Sequence, residues 1–125
     1  MNEALLYHLW KYRLFKSMPL TTIDGKTIEV IKPGELNPDS GPDFFNARLI
    51  IDGTEWAGNV EIDPTSADWY NHKHHINKDY SKLILHIVYE LNKPLDHGFP
   101  VLEFKNFMDE GAVRTFHHLQ ESPLP

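Results

Sequence analysis

No cysteine occurs among the 125 residues. Disulfide staples, thiol nucleophiles and thiolate zinc sites are therefore excluded, and any metal must sit on His, Asp, Glu, Asn or a backbone carbonyl. Nor does any window approach the roughly 20 consecutive apolar residues that a membrane-spanning helix needs. Residues Met1 to Tyr12 lack the basic start, long apolar run and small-residue cleavage site of an export signal. A soluble, cytoplasmic chain with no membrane partner is expected. Positive charge is short as well, with 12 Lys and Arg against 18 Asp and Glu, giving a net charge of -6. A field of that sign repels nucleic acid, so nucleic-acid binding gains no support from charge, and a protein partner or a second copy of the chain is the alternative. Glycine-rich phosphate loops, a Ser-His-Asp elbow, helical His-Glu-x-x-His, internal repeats and low-complexity tracts are also missing.

What remains is an ordinary soluble composition of 41% hydrophobic and 24% charged residues, enough for one compact domain over 1–125. Eight His are the compositional oddity. Apolar residues at Leu5, Leu6, Leu9, Trp10 and Leu14 recur at helical spacing, with Asn2 as N-cap and Pro19 as the stop. Thr27 to Ile31 reads as a strand after the Asp24-Gly25 turn, and Glu35 to Asp43 as a loop. Phe44 to Ile51, Asp52-Gly53 and Thr54 to Ile62 form a hairpin signal, with Pro64 breaking the second strand and Ser66 capping a short helix to His72. Residues 74 to 81 read as irregular, Leu83 to Tyr89 as a central strand, Val101 to Phe104 as the last strand and Asp109 to Gln120 as a capped helix. The resulting class is α/β, a mixed sheet flanked by helices. Trp10, Trp56 and Trp69 are read as core, and His117-His118 as a solvated helix face.

The chemistry concentrates around the hairpin. Alternation places Trp56, Gly58, Val60 and Ile62 on one face of the second strand and Glu61 and Asp63 on the other. The tight turn brings Asp43 and Glu61 to the same end of the ribbon, as a divalent-cation phosphodiesterase needs. Their faces depend on register. A strict two-residue loop sets Asp43 across from Ile62, on the wrong face, whereas a longer loop or a bulge sets it across from Asp63. The structural alternative makes Asp43 a loop cap, Glu61 an exposed strand-end acid and Asp63 a capping acid before Pro64. A second constellation joins Asp68, His72, His74 and His75. Asp68 and His72 are four apart and share a helix face, either as ligands of one transition-metal ion or as a simple pair in a solvated turn. His86, in an apolar strand, is either a buried histidine with a backbone partner or an acid, base or phosphate ligand.

Gly41-Pro42-Asp43-Phe44, a hairpin, and Gly58-Asn59-Val60-Glu61-Ile62-Asp63 resemble the PD-(D/E)XK nuclease pattern. That resemblance implies a restriction-endonuclease-like fold of helix, three strands, helix and strand. It also implies that Asp43, Glu61 and the backbone carbonyl of Ile62 hold Mg²⁺ or Mn²⁺, with Asp63 or His86 tuning the water. More closely, residues 41–48, 56–62, Ser66, Asp68-Trp69 and 85–89 resemble an uncharacterised bacterial family, domain-of-unknown-function family 2851. Members are longer, so the resemblance implies an N-terminal part with Pro123-Leu124-Pro125 as a truncation point. Asp63 departs from both patterns, standing where the nucleases carry Lys and the unknown family His. Lys73 and Lys105 are the substitutes for that positive charge; otherwise the domain is a catalytically inactive scaffold or interaction module.

Overall fold

The computed structural model describes residues 1–16 and 18–121; the tripeptide 123–125 lies outside them. Helix α1, Glu3–Lys11, starts as its sequence dictates, with Asn2 Oδ1 accepting the backbone N–H groups of Ala4 (2.7 Å) and Leu5 (3.3 Å). It ends well before Pro19 because Arg13 turns left-handed (φ 56°). The N–H of Arg13 then reaches Trp10 O at 3.1 Å and that of Leu14 reaches Leu9 O at 2.9 Å, closing the last carbonyls without further helix.

Seven strands follow in one sheet: β1 (Leu20–Thr21), β2 (Thr27–Lys32), β3 (Glu35–Leu36), β4 (Phe44–Ile51), β5 (Thr54–Thr65), β6 (Leu83–Glu90) and β7 (Val101–Glu103). Helix α2 (Ala67–Asn71) lies between β5 and β6, and α3 (Glu110–Glu121) closes the chain. The sheet order is β1-β2-β4-β5-β6-β7, with β3 also beside β4. Pairing is antiparallel from β1 to β5 and parallel across β5, β6 and β7, so α2 and two following 3₁₀ turns form the crossover between β5 and β6. The stretch expected to be irregular holds those turns, His74–Ile76 and Lys78–Tyr80. The loop expected over 35–43 contains β3, where Glu35 and Leu36 pair with Phe45 and Phe44. Gly34 permits this return at φ 99°, and a Cβ there would meet Phe45 O at 2.7 Å.

Two features of the hairpin aim the site. Its turn is the strict two-residue form, with Ile51 opposite Thr54 and both Asp52 (φ 51°) and Gly53 (φ 85°) left-handed. A bulge then interrupts β4 between Phe44 and Ala47, where Asn46 has φ 56°, and Phe44 ends opposite Val60. One further step along this register sets Asp43 across from Glu61, which is neither Ile62 nor Asp63. Strand β5 also runs through Pro64 instead of stopping there. The N–H of Ile62 faces the Asp43 side, and Pro64, two residues on, faces the same side beyond the end of β4, where its missing donor leaves no ladder bond unmade.

One face of the sheet packs on α1 through Leu5, Leu6, Leu9, Trp10, Phe44, Val60, Ile62, Leu85 and Leu102, all essentially buried, and α3 rests against this core through the partly buried Ala112, Val113 and Phe116. Trp10 fills this core and donates its indole N–H to Pro33 O at 2.9 Å. The opposite face carries a smaller cluster of Trp69, Tyr80 and Leu83. Trp69 is buried as expected, but Trp56 is 51% exposed, because residues 54–57 beside the turn all stand in solvent. Among the described residues no helix is long and apolar enough to cross a membrane.

Candidate functional site

Alternation along β5 puts Glu61 and Asp63 on the face away from α1, and the β4 bulge delivers Asp43 beside them. Asp43 is clamped from two sides: Tyr7 Oη of α1 donates to Oδ1, and the Ile62 N–H donates to Oδ2 at 2.8 Å. Glu61 is 3% and Asp63 1% exposed. Glu61 Oε1 is buried with no hydrogen-bond partner among the described residues. These two buried carboxylates and the half-buried Asp43 repel one another when ionised. Burial, followed by the charges of Asp63 and Asp43, pushes the Glu61 carboxyl up to about 12. Burial also raises Asp43, against the lowering effect of the Tyr7 hydrogen bond. The Tyr7 and Tyr80 hydroxyls are raised by burial and by these same charges.

Imidazoles complete the cluster. His74 Nε2 lies 3.1 Å from Glu61 Oε2 and 4.0 Å from Asp63 Oδ1, with its ring stacked on Tyr80 at 4.1 Å. Burial lowers the His74 pKa, partly offset by the charge of Asp63. His86 is fully buried, and its Nε2 meets Asp63 Oδ2 at 2.8 Å while its Nδ1 meets His97 Nε2 at 2.9 Å. The backbone N–H of Phe99 donates to His97 Nδ1 at 3.0 Å, which leaves the proton of a neutral His97 on Nε2. Hydrogen bonds then run in one direction, from Phe99 N–H through His97 and His86 to Asp63. Burial and the neighbouring His86 hold His97 down at about 4, so this polarity persists at neutral pH. His74 and His97 both line a cleft of about 280 Å³ with Trp69, Tyr80, Asp96 and Phe99.

The sequence-derived candidates thus divide. Asp43, Glu61, Asp63, His74 and His86 converge, and His72 joins Asp63 and His74 with one donor atom from each within 4.8 Å of the others. The partners of His86 are side chains, not the backbone expected of a structural histidine. Among the described residues the Asp63 side chain accepts no backbone N–H and instead faces His74 and His86. Asp68 departs from the His72 pairing: its Oδ2 accepts from Thr65 N (3.1 Å) and Thr65 Oγ1 (3.2 Å). It thereby takes the start of α2 from Ser66, whose hydroxyl instead bonds Lys93 O at 2.7 Å and holds the chain after β6. Ile62 enters through its N–H to Asp43. His75 turns to the Tyr70 ring, 5.2 Å away. Lys105 lies 4.0 Å from Glu90 and 3.8 Å from Glu103, while Lys73 is exposed at the start of a 3₁₀ turn.

Three contributors escaped the sequence reading: Tyr7, Glu3 and His97. Glu3 and Tyr7 are four apart on α1, the spacing of one helix face, and the charges of Asp43 and Asp63 help burial raise the Glu3 carboxyl. That spacing was a usable signal. His97 sits in an aperiodic connector and gave none.

Fold and site together define a mixed α/β domain whose central parallel strands carry a buried carboxylate and imidazole cluster. The chain belongs to the family described as Protein of unknown function (DUF2851), which matches residues 3–124. No curated protein and no solved structure matches the chain.

Proposed function

We propose that this chain is a divalent-cation-dependent phosphodiesterase domain, restriction-endonuclease-like in fold, with Asp43 and Glu61 as the principal ligands of Mg²⁺ or Mn²⁺. The observation that carries the reading is the buried, unpartnered Glu61 Oε1 directly across the ladder from Asp43. A buried carboxylate without a partner costs several kcal/mol unless it is protonated or meets a cation. The element order supports the fold assignment: an antiparallel β2-β4-β5 meander after α1, then a helix, then β6 parallel to β5.

A cation bound here neutralises phosphate charge and acidifies a coordinated water. The chain's own groups do the rest. Tyr7 and the Ile62 N–H fix the orientation of Asp43, so its carboxylate needs no reorganisation on binding. His74, its pKa lowered by burial, sets Nε2 3.1 Å from Glu61 Oε2. The chain from His97 through His86 orients Asp63. Purified protein should nick plasmid DNA with Mn²⁺, and Asp43→Ala should remove at least 100-fold of that rate. Nicking that survives Asp43→Ala rejects the assignment. Asp63 in place of Lys, with Lys105 beside Glu90 and Glu103, favours a second reading: a silent scaffold that binds the cation and cleaves nothing. Cation binding with no turnover on plasmid or on a small phosphodiester selects that reading.

A further inference from the structure

Asp43 and Glu61 account for half of the cluster. On the far side of Glu61 lies a second donor set with a different chemistry: Asp63, His72 and His74, one ligand atom from each within 4.8 Å of the others. Two imidazoles and one carboxylate are the donor set of catalytic zinc sites and of non-haem iron sites, which keep open positions for water or substrate. A carboxylate-only site suits Mg²⁺; an imidazole pair suits later first-row metals.

We infer that Asp63, His72 and His74 form a second cation site, selective for a borderline divalent metal such as Zn²⁺ or Co²⁺, adjacent to the Asp43 and Glu61 site. This rests on the preceding reading for the first cation.

The geometry fits part by part. Asp63 Oδ2 is occupied by His86 Nε2 at 2.8 Å, and Oδ1 faces His74 Nε2 at 4.0 Å, so one oxygen is held from behind while the other is presented. Stacking on Tyr80 and an edge contact with Trp69 at 5.6 Å fix the plane of His74. Residues two apart on a helix point to different sides, yet the His72 and His74 rings sit 5.5 Å apart. Lys73, left-handed at φ 58°, makes the turn that brings them together. Ligand atoms around a cation with bonds of about 2.1 Å lie roughly 3–4 Å apart, so closure requires a contraction of about 1 Å, within the reach of the exposed His72 side chain.

A second observation points to cations independently of this cluster. Glu61 Oε1 is unpartnered in a residue 3% exposed, while Glu61 Oε2 is 3.1 Å from His74 Nε2. Glu61 therefore stands between the two donor sets, as a bridging carboxylate does in centres whose metals are about 3.5–4 Å apart.

The test is a titration of the full chain with Co²⁺, read by its visible absorption, beside a calorimetric titration with Mn²⁺. In wild type both cations should bind. His72→Ala should weaken Co²⁺ at least 30-fold and leave Mn²⁺ within threefold, and His74→Asn should weaken Co²⁺ by at least as much. Asp43→Asn should reverse that order. His72 is exposed, so His72→Ala reports on the site even if His74→Asn perturbs packing against Tyr80. Equal loss of both cations in every variant, or Co²⁺ binding indifferent to His72, overturns the second site and leaves the first. Failure of both cations to bind wild type overturns both.

Discussion

Glu61 is the residue on which the electrostatics turn, and its titration has a testable sign. Folded, it keeps its proton to about 12; unfolded, it releases it near 4.5. Between those values the folded state holds the extra proton, so stability falls as pH rises. Asp43, also raised, acts in the same direction, with Asp63 and Tyr80 facing the same space. His97 and His74 act oppositely, since lowered imidazoles cost stability on acidification, but only below their ordinary value of 6.5. In chelator, the protein should therefore lose about 1 kcal/mol per pH unit above pH ~6.5. Glu61→Gln should flatten that slope and raise the Tm at pH 8.5, measured by thermal unfolding. An unchanged slope in the variant would show that Glu61 is not the group responsible. At this scale the sequence was informative where chemistry followed periodicity. Asp43 and Glu61 could be paired from the hairpin and His86 singled out within an apolar strand. His97 could not, because a connector has no period to reveal where a side chain points.

The elements aim these residues, and the β4 bulge does so most directly. Asn46 holds a left-handed φ of 56°, a conformation that Asn tolerates and β-branched residues do not. Asn46→Gly should be neutral to slightly stabilising. Asn46→Val should cost about 1–2 kcal/mol in urea unfolding. Deleting Asn46 removes the extra residue and keeps Asp43 across from Glu61, whereas Asn46→Val, by favouring extended backbone at 46, favours the strict register with Asp43 across from Ile62 and should weaken Mn²⁺ binding in a chain that still folds. Retained binding would show that the bulge does not set the site. The existence and turn of this hairpin were legible from Asp52-Gly53 and the flanking apolar residues. The bulge was not, because Phe45 and Asn46 read as ordinary strand. Pro64 misled for a related reason: whether a missing N–H breaks a strand depends on which neighbour it faces. Trp56 was misassigned because alternation gives the face of a residue and not whether anything covers that face.

Across the whole molecule, one core joins α1, the sheet and α3, so removing its largest member should lower global stability. Trp10→Ala, which empties a fully buried site and frees Pro33 O, should cost about 3–5 kcal/mol in urea unfolding. A net charge of -6 also limits how a phosphodiester is approached. With few basic side chains to release counterions, any DNA binding should change by less than about tenfold between 50 and 200 mM salt, far below the loss shown by proteins making many phosphate contacts. A steep salt dependence would point to a local basic surface despite the net charge. The order of helix, three strands, helix, two strands and helix followed from hydrophobic pattern and turn signals, whereas the short strands β1 and β3 and the parallel pairing of β6 with β5 did not. The curl of the sheet did not, although it brings the turn after β1 back to β7 through Ile23 N–H and Val101 O at 2.9 Å. Long-range closure of that kind leaves no local trace in composition.

The central claim is that Asp43 and Glu61 share a divalent cation. Anomalous diffraction from a crystal soaked in Mn²⁺ tests it without presupposing any ligand. A peak should appear about 2.1–2.3 Å from a carboxylate oxygen of each residue and be absent from crystals of Glu61→Gln. A peak elsewhere, or none at full soaking, contradicts it.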